Sequence, residues 1–387
     1  MFKIIYPESD ATLYEALPTY NTGIDEILEV GKRLSSISGS NYLKSRSLLK
    51  FDMDDVNAAL TKYNINIENC KFVLQLYTTH AKNLSANYTI NANLVGDDWT
   101  NGTGFQNVNV PITDGVTWNS PKSGSYFWTS GSQDVNISGS SLYISGSGKG
   151  GSWLYQSGSG IYGVTEFSQS FSNQPGLNLN ESFSYRPTDL NIDVTGAVKT
   201  WISGSGGKII PNFGFLLKFS DENESDTAVT GYVRFFSRET HTIYVPRLTM
   251  YFDKSSFTTG SLEQYNPDSY TLYTQLKKEY KDSAVSKIRI YSRDKYPQKS
   301  PTNKFPMTTV KYLPNTTLYS LKDAATDEVI IPYDSNYTKV SCDETSNFIT
   351  MDMSGLMPER YYRLEFKIVN GYMEDFIDDE FYFKIVR

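Results

Sequence analysis

The sequence predicts an all-β protein, a two-sheet antiparallel sandwich followed by an Ig-like or fibronectin-like sandwich. Three observations carry this. Short apolar runs alternate at period two, turn residues rich in Gly, Ser, Asn and Pro separate them, and long helical patterns are scarce. A chain of 387 residues with 39% apolar and 14% aromatic content is also long enough to bury more than one core.

The strands follow in order. Leu49, Phe51 and Met53 alternate with Lys50 and Asp52, and Phe72, Leu74 and Leu76 alternate with Val73, Gln75 and Tyr77. Phe213, Phe215, Leu217 and Phe219 form a third run, and Leu248, Met250 and Phe252 close the first region. One segment departs from period two. Val194, Val198 and Trp201 fall at i, i+4 and i+7, which predicts a short helix capped by Asp193 or Thr195 and ended by the Gly204–Gly207 stretch. Its Trp201 is expected to plug one end of the sandwich.

Residues 120–186 have a different composition. Ser-Gly repeats such as Ser145-Gly146-Ser147-Gly148 resemble a flexible linker, but Tyr126, Phe127, Trp128, Leu142, Tyr143, Ile144, Trp153, Leu154, Tyr155 and Tyr162 are interleaved. A solvated linker has no use for so many large apolar groups. The segment is expected to be an insertion of hairpins and ordered loops in a domain spanning 1–255. Its rings Trp128, Trp153 and Tyr155 are the candidate contact surface, either a glycan platform or, preferred here, an interface with neighbouring subunits.

Residues 256–284 read as a connector, with a weakly helical run at Gln275–Glu279, and residues 285–387 as the second sandwich. Ile288–Tyr291, Thr317–Leu321 and Val329–Ile331 supply strand patterns. The sequence from Leu356 through Pro358 to Tyr362, then Leu364, Phe366 and Ile368, matches a tyrosine corner entering a strand of an Ig-like sandwich. Tyr362 is expected to hydrogen-bond back across that corner. Phe381, Phe383 and Ile385 complete the final strand.

The chemistry of the side chains excludes several classes. A net charge of −7 lacks the basic face that phosphate binding requires, so no nucleic acid partner is expected. Two His and two Cys make neither a usual zinc site nor a disulfide framework, and Cys70 and Cys342 read as free buried thiols. Gly148-Lys149 lacks the rest of a phosphate loop. His80 and His241 stand without a nucleophile motif. The carboxylates Asp97, Asp98, Asp52, Asp54 and Asp55 read as solvated neighbours rather than a hydrolytic pair. No catalytic residue, cofactor or metal is therefore assigned, and no spacing singles out a site for structural Ca²⁺. No apolar signal-peptide core follows Lys3 and no stretch of about 18 apolar residues occurs, so neither secretion nor a membrane partner is expected.

The order of several segments in the first 255 residues resembles a DNRLRE-type domain. They are Asp10-Ala11-Thr12, Asn21-Thr22-Gly23, Ser47-Leu48-Leu49-Lys50-Phe51-Asp52, Leu74-Gln75-Leu76-Tyr77 and Trp99, then Val116-Thr117-Trp118, Asp193-Val194-Thr195 with Trp201, Phe213-Gly214, Phe236-Ser237-Arg238-Glu239 and Pro246-Arg247-Leu248. That family implies a jelly roll related to carbohydrate-binding modules. The C-terminal portion resembles virion structural proteins of T4-like tailed phages, the myoviruses. This rests on Lys295-Tyr296-Pro297-Gln298-Lys299, Tyr312-Leu313-Pro314, Leu321-Lys322-Asp323-Ala324, Ile331-Pro332-Tyr333, Ser341-Cys342-Asp343 and Gly355-Leu356 through Tyr362.

The resemblances imply a non-enzymatic structural protein of the tail, neck or baseplate, made in the host cytoplasm and housed in the virion. Its expected partners are other virion proteins and copies of itself in a symmetric assembly. The alternative is a glycan-binding module that recognises the host surface.

Overall fold

A computed structural model describes residues 1–35, 41–85, 87–107, 110–124, 126–134, 142–156, 180–184, 189–202 and 210–387. The class is all-β, with mainly antiparallel sheets. The chain forms two compact units, Ile5–Met250 and a smaller one made of Met1–Ile4 with Tyr251–Arg387.

The main sheet of the larger unit is antiparallel. Its hydrogen-bonded order is Asn180–Ser184, Asn87–Leu94, Phe215–Phe219, Tyr42–Phe51, Ile27–Leu34, Gly231–Phe236 and Thr78–Lys82. Pro7–Tyr14 also pairs with Tyr42–Phe51, Ala11 standing opposite Leu48. A second sheet holds Cys70–Leu76, whose burial alternates residue by residue as its sequence predicts, antiparallel to Leu190–Asp193. A third sheet orders Ser152–Gln156, Leu142–Ser147 and Ser130–Asp134. It lies within the Ser-Gly-aromatic stretch.

Two helices bear directly on the sequence patterns. Thr195–Ile202 forms where the i, i+4, i+7 spacing places it, and the Asp193 carboxylate accepts the Thr195 N–H at 3.0 Å. Trp201 is buried there, its ring centroid 4.9 Å from that of Phe215. The Gly204–Gly207 stretch lies outside the described residues. Met53–Tyr63 is a helix that the alternation through Leu49, Phe51 and Met53 hides. The strand ends at Phe51, because Asp52 turns the chain and accepts the Asp54 N–H. Met53, Val56 and Ala59 then bury one helical face, and Asn64 stops the helix at φ 48°.

The smaller unit has two sheets. One orders Glu263–Gln264, Lys311–Tyr312, Val285–Asp294, Asn347–Asp352 and Ser341–Cys342, with Tyr270–Thr274 also on Val285–Asp294. The other orders Glu279–Lys281, Met373–Val386, Tyr361–Asn370, Leu318–Asp323 and Val329–Ile331. Ile288, Ile290, Ile349 and Met351 of the first are buried, as are Leu321, Leu364, Phe366, Phe383 and Ile385 of the second. Residues 256–284 contribute strands to both sheets. Gln275–Glu279 contains no helix. Glu279–Lys281 instead adds a strand parallel to Lys384–Val386, because tertiary pairing overrides a weak local propensity.

The tyrosine corner is present. Tyr362 is buried, its hydroxyl accepts the Met357 N–H at 2.8 Å, and it lies 3.3 Å from the Met357 carbonyl. Cys70 and Cys342 are free and buried, and burial pushes both thiols up to about 11. Among the described residues no helix is long and apolar enough to cross a membrane.

Candidate functional site

The three rings singled out from the sequence occupy different environments. Trp128 is only 1% exposed and packs inside the larger unit with Leu13, Leu48, Val95, Trp99, Val116, Trp118 and Leu216. Its indole N–H donates to the Thr117 carbonyl at 3.1 Å, so even its polar edge is used within the fold. Trp153 is half-buried against the same cluster. Tyr155 stands in a strand with its backbone opposite Tyr143, and its side chain lies outside the described residues. Trp128 and Trp153 thus meet at a common core and not on an open platform. Apolar partners distant in the chain draw them in, and their Ser-Gly neighbours give no hint of those partners.

Trp153 also covers an ionic cluster. Arg46 makes a two-pronged pair with Glu224, Nε to Oε1 at 2.9 Å and Nη2 to Oε2 at 2.6 Å, while Nη1 donates to the Gly150 carbonyl at 2.6 Å. The guanidinium lies 5.3 Å from the Trp118 ring centroid and 5.4 Å from that of Trp153. Lys218 Nζ lies 4.5 Å from the Trp153 ring centroid and pairs with Asp221. Both partners of the Arg46–Glu224 pair are buried, so its hydrogen-bonded geometry is needed to offset desolvation. Gly150 sits at φ 71°, and a Cβ there would lie 2.7 Å from the Trp118 ring. This cluster fixes the fold and leaves little of itself for a ligand.

A groove of about 300 Å³ opens at the turn that follows Val116. Thr113, Thr117, Asn119, Ser120, Tyr126 and Phe127 line it, and among the described residues no charged side chain does. Thr117 and Ser120 close a tight turn, with Thr117 N–H on the Ser120 carbonyl at 2.8 Å and Ser120 N–H on Thr117 Oγ1 at 3.1 Å. Trp128, through its bond to Thr117, holds that turn from below. Tyr126 and Phe127, its chain neighbours, are exposed at 77% and 67%. Asn119 Oδ1 is buried with no hydrogen-bond partner among the described residues.

The smaller unit carries a different surface. On Tyr361–Asn370 and Met373–Val386, the side chains opposite the buried row form cross-strand pairs. These are Tyr361 with Lys384, Arg363 with Tyr382 and Lys367 with Phe376. The charges beneath the rings are mutually neutralised. Glu365 takes Lys322 at 2.7 Å and Arg363 at 3.0 Å, Arg363 also reaches Asp378 at 3.4 Å, and Lys367 pairs with Glu374 at 2.9 Å. Lys367 lies 5.2 Å from the Phe376 ring centroid, while Phe376 itself is 63% exposed. Tyr361, Tyr372, Met373 and Tyr382 are exposed on the same pair of strands and their turn.

Titratable groups perturbed by burial lie elsewhere. Burial pushes the Asp10 carboxyl up to about 7, although it accepts the Arg238 N–H at 2.6 Å. It likewise raises Asp25 to about 6 despite the Gln106 N–H on both of its oxygens. Among the described residues no three His, Cys, Asp or Glu side chains gather as a metal-binding group.

No protein-family profile matches this chain, and no curated protein does. Among solved structures it is similar to two of the β-glucuronidase of Parabacteroides merdae. One, with glycerol in the active site, has a TM-score of 0.20 at 9% identity over 99% of this chain and 35% of that one. The other has a TM-score of 0.17 at 9% identity over 97% and 36%. The chain spans about a third of that enzyme's length, and likeness at these TM-scores carries no functional argument.

Proposed function

We propose that this chain is a non-enzymatic structural protein of a tailed bacteriophage virion, placed in the tail, neck or baseplate region, and that it works through protein–protein contacts. The observation carrying this reading is the ring-bearing outer face of Tyr361–Asn370 and Met373–Val386. Exposed Tyr361, Tyr382, Phe376 and Met373 beside Arg363 are of the residue types enriched at protein interfaces. Neutralised charges beneath the rings lower the cost of desolvating that face when a partner covers it. Strand pairing holds the rings at fixed spacing, so little order is lost on docking. The resemblance of the C-terminal portion to myovirus virion proteins supplies the kind of assembly.

The test is mass spectrometry of gradient-purified virions from a phage encoding this chain. Its peptides are expected at a stoichiometry set by a symmetric substructure. Their absence from virions, with the protein abundant in the lysate, overturns the proposal.

A further inference from the structure

We infer that two copies of this chain pair about a two-fold axis at one end of the smaller unit, the basic loop 295–307 of each copy lying on the acidic hairpin tip 372–380 of the other. The tip belongs to the outer face of Tyr361–Asn370 and Met373–Val386, so the pairing rests on the reading of that face as a protein-contact surface and names its partner there.

The loop joins the strand Val285–Asp294 to the strand Lys311–Tyr312. Residues 295–310 hold Lys295, Lys299 and Lys304 and no Asp or Glu. All three lysines are exposed, and none makes an ion pair among the described residues, whereas Lys311 beyond them pairs with Asp294 at 2.9 Å. Tyr296, Phe305 and Met307 stand open to water between the charges.

The hairpin tip carries the opposite sign. Residues 372–380 hold five acids and no Lys or Arg. Lys367 answers Glu374 and Arg363 reaches Asp378, but Asp379 and Glu380 are exposed without an ion pair among the described residues. Tyr372, Met373 and Phe376 are exposed on the same segment.

Both patches lie at one end of the unit. Asp294, at the base of the loop, stands opposite Tyr270, and the Tyr270 hydroxyl donates to Asp375 Oδ2 at 3.0 Å. A basic patch beside an acidic one is self-complementary under a two-fold rotation, since each loop then meets the other copy's hairpin and the contact is made twice. An unrelated partner would have to match both signs at once, and a second copy does so by construction. Rings supply the apolar area, and the charges around them set the register and reject wrong orientations.

The loop has its shape before it docks. Asn303 N–H donates to Ser300 Oγ at 2.9 Å, the Asn303 side-chain amide donates to Thr309 Oγ1 at 2.9 Å, and Pro306 is buried at the start of a tight turn through Thr308. Little order remains to be lost on association.

The experiment is sedimentation velocity of the full chain across a concentration series. In about 50 mM salt a dimer with a dissociation constant on the order of 10 µM is expected, weakening at least about tenfold in about 500 mM salt. Two charge-reversed variants follow, one with Lys295→Glu, Lys299→Glu and Lys304→Glu, the other with Glu374→Lys, Asp379→Lys and Glu380→Lys. Each changes exposed side chains, should melt close to the natural protein, and should lose at least about tenfold in dimer affinity. Mixing the two should restore the dimer, because each reversed patch then meets its opposite. A chain that stays monomeric in low salt, a dimer that either variant leaves intact, a mixture no better than its parts, or open-ended species larger than a dimer each overturns the pairing. A chain found in virions but monomeric in solution overturns this pairing alone, and a dimer absent from virions upholds it while overturning the placement in the virion.

Discussion

The Tyr362 hydroxyl accepts the Met357 N–H at 2.8 Å, locking the corner through which the chain enters the strand Tyr361–Asn370. The same ring is buried 5.9 Å from Phe383, between centroids. Tyr362→Phe keeps the ring and removes the bond, leaving the Met357 N–H without this acceptor. A loss of about 1–2 kcal/mol is expected. Denaturant unfolding of the full chain checks it, and an unchanged midpoint would show that the corner bond is idle.

Arg46 and Glu224 are 178 positions apart, yet they form a buried, two-pronged ion pair in the larger unit's Trp-lined cluster. Glu224→Ala leaves Arg46 buried beside Trp118 and Trp153 with its main counter-charge gone. The expected cost is about 3–5 kcal/mol. Circular dichroism during urea unfolding measures it. A cost under about 1 kcal/mol would mean that water reaches the guanidinium.

Asp10 gives the larger unit a pH dependence of known sign. Its folded-state value is raised from 3.8 to about 7, so the folded chain holds this proton more tightly than the unfolded one. The resulting stabilisation is full below about pH 4 and is lost as pH rises through 7, a span worth roughly 4 kcal/mol. Asp10→Asn should therefore raise the melting temperature at pH 8 and change it far less at pH 4. Equal shifts at both values would contradict a buried, late-titrating carboxyl.

Asp343 should act in the opposite direction in the smaller unit. Burial works to raise it, but hydrogen bonds from Arg289 and Lys287 outweigh burial and hold it below the usual carboxylate range. Its contribution is present above the ordinary carboxylate value and is lost as pH falls. Asp343→Asn should cost stability at pH 7 and progressively less toward pH 2, as acid-to-neutral melting curves of the two proteins would show.

The features legible in the sequence were those whose partners lie close in the chain. Tyr362 and Met357 are five residues apart, and Asp193 caps a helix beginning two residues later. Arg46–Glu224 left no local mark, because a charged residue within a strand reads equally well as facing solvent. The helix Met53–Tyr63 was obscured because its first apolar residue continues the beat of the preceding strand. Of the ring-rich stretch, Tyr126 and Phe127 carry the exposure and Trp128 the burial. Composition sets all three apart from a linker but does not say which turns inward. The groove's Asn119 and Thr113 had no signal of their own, since their significance comes from packing around Trp128.

The central claim is that the rings of Phe376, Tyr382 and Tyr361 form a face made for another protein. Complementation of a phage lacking this chain tests it most directly, with quantitative recovery of the supplied protein in purified virions. The triple variant Phe376→Ser, Tyr382→Ser and Tyr361→Ser changes exposed side chains and should melt close to the natural protein. Its incorporation should fall by at least about tenfold, as removal of interface hot spots requires. A folded triple variant that enters virions at the natural level would contradict the account.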